Sequence, residues 1–440
     1  MPIWQGTRAG IPLLLPAGSV YQIIRDALAE IPEESFRTTP RAFSRNGLIS
    51  PELLLAFLLA MVGDSNRRGV KHLLDEFWLE AQQLGIELPC DEPVSASAMT
   101  QARAKLSWEV LREVLWKLGD ALPEGCRARG KATWRGRRVL AIDGQKLNVN
   151  RSDELRSHFG VPEGCYCPQL LFSVLVDCCA RMPLDFEIDS YRVGEREHMT
   201  RMLDSVVPGT ILVLDRGYPS HEVLQELARL RIDFVVRVPK SSTFSAVVEF
   251  VEAGRRDGST RISQLDSDGN EVAGVDVRIT RFGHEDDETI CVTSLSRNDY
   301  DLRAIEELYR LRWQAEEAFK AMSGSVLSQG LFRSETANGV RQELGAVALR
   351  YALSRLLAGA LAAHTEEPNE QIQQKAAILT AARVLVVVVL EHSEERAIDA
   401  VARALGRLLR HRYRTRKRPS YPRRSYTPGP KWGPNGRRGA

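Results

Sequence analysis

Residues 138–144 read RVLAIDG, four apolar residues closed by Asp143 and Gly144, and residues 210–218, TILVLDRGY, repeat the pattern with Asp215 and an Arg-Gly pair. Apolar runs this short, bounded by turn residues, predict buried strands rather than helices. LLFSVLVDCCA at 170–180 is a third such run, and PLDFEIDSYRV at 183–193 alternates like a strand. HEVLQELARLRI at 221–232 has helical spacing, and DFVVRVP at 233–239 is the next strand. Strands interleaved with a helix predict a mixed α/β sheet. Each aspartate is then expected at the C-terminal end of its strand, where side chains emerge at a sheet edge. Alone, either Asp reads equally as a turn cap paired with its Gly. Together they would repel unless a cation neutralised them, which is the pattern of a magnesium site.

The flanks differ in character. SVYQIIRDALAEI, SPELLLAFLLAMVGD and KHLLDEFWLEAQQLGI predict helices, the second with Ser50 as N-cap and Pro51 at its first position. SASAMTQARAKLSWEVLREVLWKLGD predicts two more, the second capped by Ser107. Gln101, Arg103 and Lys105 on the first of these read either as a DNA-reading face or as the solvated side of an amphipathic helix. RISQLD, VAGVDVRITRF and ETICVTSLS predict antiparallel strands inserted within 240–300. QELGAVALRYALSRLLAGALAA, KAAILTAARVLVVVVLEH and EERAIDAVARALGRLLRHR close the chain with helices.

Composition narrows the function classes. With 440 residues, 43% hydrophobic and 27% charged, the chain can bury a large core and is not a disordered protein. No uninterrupted apolar run approaches the roughly 18 residues of a membrane span, and the N-terminus lacks the basic-then-apolar order of a secretory signal. A cytoplasmic protein is expected, without a membrane partner. Seven cysteines, with Cys165, Cys167, Cys178 and Cys179 in C-x-C and C-C spacing, depart from zinc-ligand pairs and are expected as reduced core thiols. Gly125, Gly130 and Lys131 match a phosphate-binding loop, but Ala132 replaces its Ser or Thr and no strand precedes it. The net charge is +3, yet residues 411–440 hold ten Lys or Arg and no acid, so the rest of the chain is net negative. With Tyr and Trp among those arginines, the segment is expected to be disordered and to contact phosphates and bases, through Arg414, Arg416, Lys417 and Arg418 among others.

A third acidic residue comes from ELYRLRWQAEEAFKAMSGS at 307–325. At 100° per residue, Arg312, Glu316 and Lys320 fall within roughly 60° of Tyr309 on one helical face, and Glu317 about 80° away. Trp313, Leu308 and Phe319 mark the rest of the helix as packed. By itself this face also reads as a salt-bridged surface helix.

AIDG, VLDRGY and Y-x2-R-x3-E, in that order with a strand-rich insertion before the last, resemble the DDE transposases of insertion-sequence family four. The resemblance covers about 45–360 and implies a ribonuclease-H-like mixed sheet, preceded by a helical domain and followed by C-terminal helices. It implies Asp143, Asp215 and Glu316 as catalytic metal ligands, with Arg216, Tyr218, Tyr309, Arg312 and Lys320 on DNA. The family's third motif usually has Lys where Ser323 stands, which leaves Lys320, one turn earlier, as the nearest base. The implied organisation is a helical DNA-binding domain over 1–130 and the first part of the core over 131–239. A β-rich insertion over 240–300, the rest of the core over 301–365, C-terminal helices over 366–410 and the basic tail over 411–440 complete it. Two Mg2+ or Mn2+ ions about 4 Å apart are implied as cofactors. Terminal inverted repeats and target DNA are the implied partners of a homodimer on paired ends, in the bacterial cytoplasm at the nucleoid. The implied activity is cut-and-paste transposition. A ribonuclease-H-like nuclease without strand joining, and a catalytically silent DNA-binding derivative, are the alternatives.

Overall fold

A computed structural model describes residues 14–44, 47–62, 68–120, 133–241, 244–283, 288–326, 332–365 and 372–411. Gly125, Gly130 and Lys131, and Arg414, Arg416, Lys417 and Arg418, lie outside the described residues. Ahead of the sheet come α1 (Leu14–Ala29), α2 (Pro51–Met61), α3 (Val70–Gln83), α4 (Ala96–Lys105) and α5 (Glu109–Asp120). The Ser50 side chain accepts the Leu53 amide and so caps α2, and Ser107 Oγ accepts the Glu109 amide at the start of α5, each satisfying a donor that the first helical turn leaves open.

The central part runs β1 (Val139–Asn148), α6 (Asp153–Phe159), β2 (Gln169–Asp177), β3 (Met182–Ser190), α7 (Glu195–Met202), β4 (Ile211–Leu214), α8 (His221–Arg229), β5 (Asp233–Val238), α9 (Ser245–Glu252), β6 (Asp257–Leu265), β7 (Glu271–Phe282) and β8 (Thr289–Thr293). These strands form one eight-stranded sheet in the order β3-β2-β1-β4-β5-β8-β7-β6. β1, β4 and β5 are parallel and the remaining pairs antiparallel. The first five strands thus have the mixed ribonuclease-H-like order. The three strands expected as an insertion do not stand apart, because β8 pairs along β5 and extends the same sheet. Helix α9 was not anticipated within that stretch; its valines suit a strand locally, but Val247 and Phe250 are placed at helical spacing to bury one face.

After the sheet follow α10 (Leu302–Arg310), α11 (Trp313–Ala321), α12 (Ala337–Thr365), α13 (Gln374–Leu390) and α14 (Glu394–Arg410). Side chains alternate across the strands, so the sheet divides two cores. Val139, Ala141, Ile211 and Val213 face a core shared with α1 to α5 and α12 to α14, while Leu140, Ile142, Leu212 and Leu214 face one built with α7, α8 and α9. Helix α12 is buried on nearly every side, its polar Gln342, Glu343, Arg350 and Arg355 included. It is long and apolar enough to cross a membrane, but 78% of its apolar window is buried inside the protein. Gly345 brings it close: a Cβ there would lie 2.9 Å from Leu111 Cβ and 3.2 Å from Phe186 Cζ.

Two local expectations change. Arg103 is buried, on neither a solvated nor a DNA-reading face, and its guanidinium bonds Ser334 Oγ at 2.7 Å and Glu343 Oε1 at 3.2 Å. Of the cysteines, Cys178 and Cys291 are core thiols but Cys165 is exposed.

Candidate active site

The parallel register of β1 and β4 ends at the pair Ala141–Val213. Asp143 and Asp215 each lie two residues further on, so they are level with one another and share the sheet face of Ala141 and Val213. The expectation that both aspartates terminate their strands holds for Asp215, which directly follows β4, and fails for Asp143. Strand β1 continues to Asn148 along β2, with Asp143 paired to Val174. What ends at Asp143 is its parallel neighbour, and that leaves the edge open.

The stretch expected as one helix is two. Leu311 and Arg312 donate to the carbonyls of Leu308 and Tyr309 (3.0 and 3.1 Å), and Gln314 and Ala315 to those of Leu311 and Arg312 (2.9 and 3.0 Å). These i to i+3 bonds tighten the chain between α10 and α11. Tyr309, Arg312 and Glu316 nonetheless come together over Asp215. The Tyr309 hydroxyl donates to Asp215 Oδ1 at 3.3 Å. Arg312 lies 3.6 Å from Asp215 Oδ2 and donates to Glu316 Oε1 at 2.6 Å, so one guanidinium bridges two acids. Lys320 is turned from this group: its ammonium bonds Glu317 at 2.8 Å and sits 4.3 Å above the Trp313 ring. Ser323 Oγ donates back to the Phe319 carbonyl at 2.7 Å. A cleft of about 460 Å3 opens beside the bridge, lined by Phe282, Thr289, Glu306, Tyr309, Arg312 and Trp313. Trp313 is 51% exposed there.

The electrostatics are those of crowded acids. Burial pushes the Asp143 carboxyl up to about 6, reinforced by Glu195 and Glu316, while the Gly144 amide and Arg312 act the other way. Burial also opposes the charge of Arg312, but Asp215, Tyr309 and Glu316 outweigh it and raise its pKa. The Tyr309 phenol is pushed up to about 12 by burial and then by Asp215, so it stays a proton donor. Among the described residues no three His, Cys, Asp or Glu side chains converge closely enough to enclose an ion; Arg312 stands between Asp215 and Glu316 instead.

Three contributors were not legible in the sequence. Glu195 opens α7 on the other face of the sheet, and burial raises its carboxyl, with Asp215 adding to this, although a hydrogen bond from Tyr218 and the charge of Lys146 act the other way. Nothing distinguishes it from any acid in a first helical turn. Arg237 lies 3.9 Å from Asp215 Oδ1, and a single charge inside the apolar run DFVVRV was the available signal. Phe282, at the end of β7, packs on Tyr309 with centroids 6.1 Å apart. Of the residues expected on DNA, Arg216 is exposed, its amide donating to Asp215 Oδ1 at 2.8 Å. Tyr218 is a correction: at 1% exposure it belongs to the core beneath the site and has no surface to offer DNA.

The model of the family "Transposase DDE domain" matches residues 134–353. No curated protein matches the chain. Among solved structures, it is similar to a piggyBac transposase synaptic complex with hairpin DNA determined by cryo-EM. That likeness has 10% identity, a TM-score of 0.42, and covers 90% of this chain and 86% of that one.

Proposed function

We propose, for a chain that belongs to the transposase DDE domain family, that it is a cut-and-paste DNA transposase of the insertion-sequence family four type. The observation that carries this is the bridge just described: Asp143 and Asp215 level on neighbouring strands, with Arg312 joining Asp215 to Glu316. Residues far apart in sequence supply oxygen donors only, which suits a hard divalent cation. Burial first, and the neighbouring acids second, raise the Asp143 carboxyl, and such a cation offsets both. The donor set therefore fits Mg2+ or Mn2+ by its chemistry, with Asp143, Asp215 and Glu316 as the holding residues. When bound, such a cation activates the attacking oxygen and offsets charge at the phosphorus.

The chain's own residues have separable tasks. Tyr309 fixes the orientation of Asp215 through its hydroxyl. Arg312 holds Glu316 and Asp215 in place and presents a guanidinium to a scissile phosphate. Trp313 and the adjoining cleft offer a stacking surface beside it. In the first use of the site, a water oxygen bonds to phosphorus and the 3′ oxygen leaves, taking up a proton. In the second, that 3′-hydroxyl attacks another phosphodiester, one such bond replacing another, so no nucleotide triphosphate is required. Inverted-repeat ends, target DNA and a dimer holding two ends together are the partners of this reading.

The test is strand transfer by purified protein with Mg2+, using a labelled transposon end and a plasmid target. Labelled plasmid is the expected product, and Asp143→Ala and Glu316→Gln should each reduce it by at least about a hundredfold. Nicking without joining would make the protein a nuclease, and unchanged cleavage by Asp143→Ala would exclude the three-carboxylate site.

A further inference from the structure

We infer that a second DNA-contact surface, built on Lys146, Tyr191 and Arg192, lies on the α7 face of the sheet, opposite the face of Arg312 and Trp313, and takes the phosphate backbone of the duplex being processed. It rests on the transposase reading above and extends it to residues that reading does not use. Strand β1 runs on past the end of β4, so its last residues pair with β2 alone. Side chains alternate along a strand, and Lys146 therefore lies on the face of Gly144, away from that of Asp143. Three residues at roughly 3.3 Å each set it about 10 Å beyond Asp143, about three steps of a duplex at roughly 3.4 Å per base pair. A strand with one phosphate at Asp143 has another within reach of Lys146.

The side chains there are held in place. The Lys146 ammonium and the Arg192 guanidinium stand over one ring, that of Tyr191, 6.0 and 5.6 Å from its centroid. The Tyr191 hydroxyl donates to the Val161 carbonyl at 3.3 Å and accepts from Arg192 Nε at 3.4 Å, and its amide donates to the Gln169 carbonyl at 3.1 Å. Gly160, at φ +78°, leaves room for both: a Cβ there would lie 3.3 Å from Tyr191 Cε1 and 3.6 Å from Arg192 Cζ. Lys146 and Arg192 are exposed, and among the described residues neither makes an ion pair, with Glu163 of the neighbouring loop or with any other acid. Exposed arginines elsewhere, such as Arg229 and Arg303, are matched by an acid on their own helix. Arg196, in the first turn of α7, extends the patch towards β4, its Nε donating to the Gly217 carbonyl at 3.0 Å. Cations fixed beside an aromatic ring and left without acids suit a nucleic-acid backbone.

Binding of a short fluorescent duplex of mixed sequence to the full-length protein, followed by anisotropy in chelator across a salt series, tests this without recourse to activity. The double variant Lys146→Ala, Arg192→Ala should keep the wild-type melting temperature and bind about tenfold more weakly, with a salt slope smaller by about 2. The exchange Lys146→Arg with Arg192→Lys should stay near wild type. The control pair Arg229→Ala with Arg303→Ala makes the same change in net charge and should leave the slope unmoved. A loss in the control equal to that in the double variant would overturn the surface, as an effect of net charge alone. Wild-type affinity and slope in the double variant, with strand transfer still abolished by Asp143→Ala, would overturn the surface and leave the transposase reading standing. Failure of the wild-type protein to bind duplex would overturn both.

Discussion

At the residue scale, Asp143 carries the clearest consequence. Its carboxyl, ordinarily near 3.8, titrates at about 6 in the folded protein. The folded state therefore binds this proton more tightly than the unfolded chain does. The stability so gained is fully present below the ordinary carboxylate range and is lost as pH rises through about 6. Above that pH, the ionised group strains the fold among Glu195 and Glu316. Asp143→Asn cannot ionise, so in divalent-free buffer at pH 8 it should be more stable than wild type by about 1–3 kcal/mol, a gain that shrinks towards pH 4. Melting curves at the two pH values check it; a gain that is the same at both would show that ionisation of Asp143 costs the fold nothing. Adding Mg2+ should raise the melting temperature of wild type and leave that of Asp143→Asn nearly unmoved.

At the scale of elements, the sequence was most legible where a single element decides its own burial. The apolar runs around Asp143 and Asp215, the caps at Ser50 and Ser107, and the grouping of Tyr309, Arg312 and Glu316 were all readable from period and spacing. Lys320 follows Glu316 by one turn of α11, so its place on the helix was readable, but the direction of its long side chain was not: the ammonium turns to Glu317 and Trp313. Arg103 failed for a different reason. Helical spacing shows which residues share a face but not what that face meets, and here it meets α12. The resulting buried pair is testable: Arg103→Met should cost about 3–5 kcal/mol, because Glu343 is left charged and buried. Adding Glu343→Gln should recover part of the loss in a double-mutant cycle by denaturant unfolding; an additive double mutant would mean the pair is not coupled.

At the scale of the whole molecule, the basic tail remains a property of sequence alone, since residues 412–440 lie outside the described structure. Ten Lys or Arg within 411–440, with no acid, should contribute several phosphate contacts. Deleting that segment should weaken non-specific DNA binding and flatten its dependence on salt, read from affinities across a salt series. Equal slopes for both forms would count against a phosphate-binding tail. By itself the sequence located most of the strands and the helical flanks, because apolar period and turn chemistry are local and survive in a linear reading; Asp143, Asp215 and Glu316 were singled out as a set by the family resemblance of their motifs. Only the tertiary structure decided that β8 continues the sheet, that Tyr218 lies buried, and that Glu195 stands beside Asp143. Each of these follows from packing between elements distant in the chain, where a partner's face, rather than a residue's own neighbours, sets what is buried and what is near.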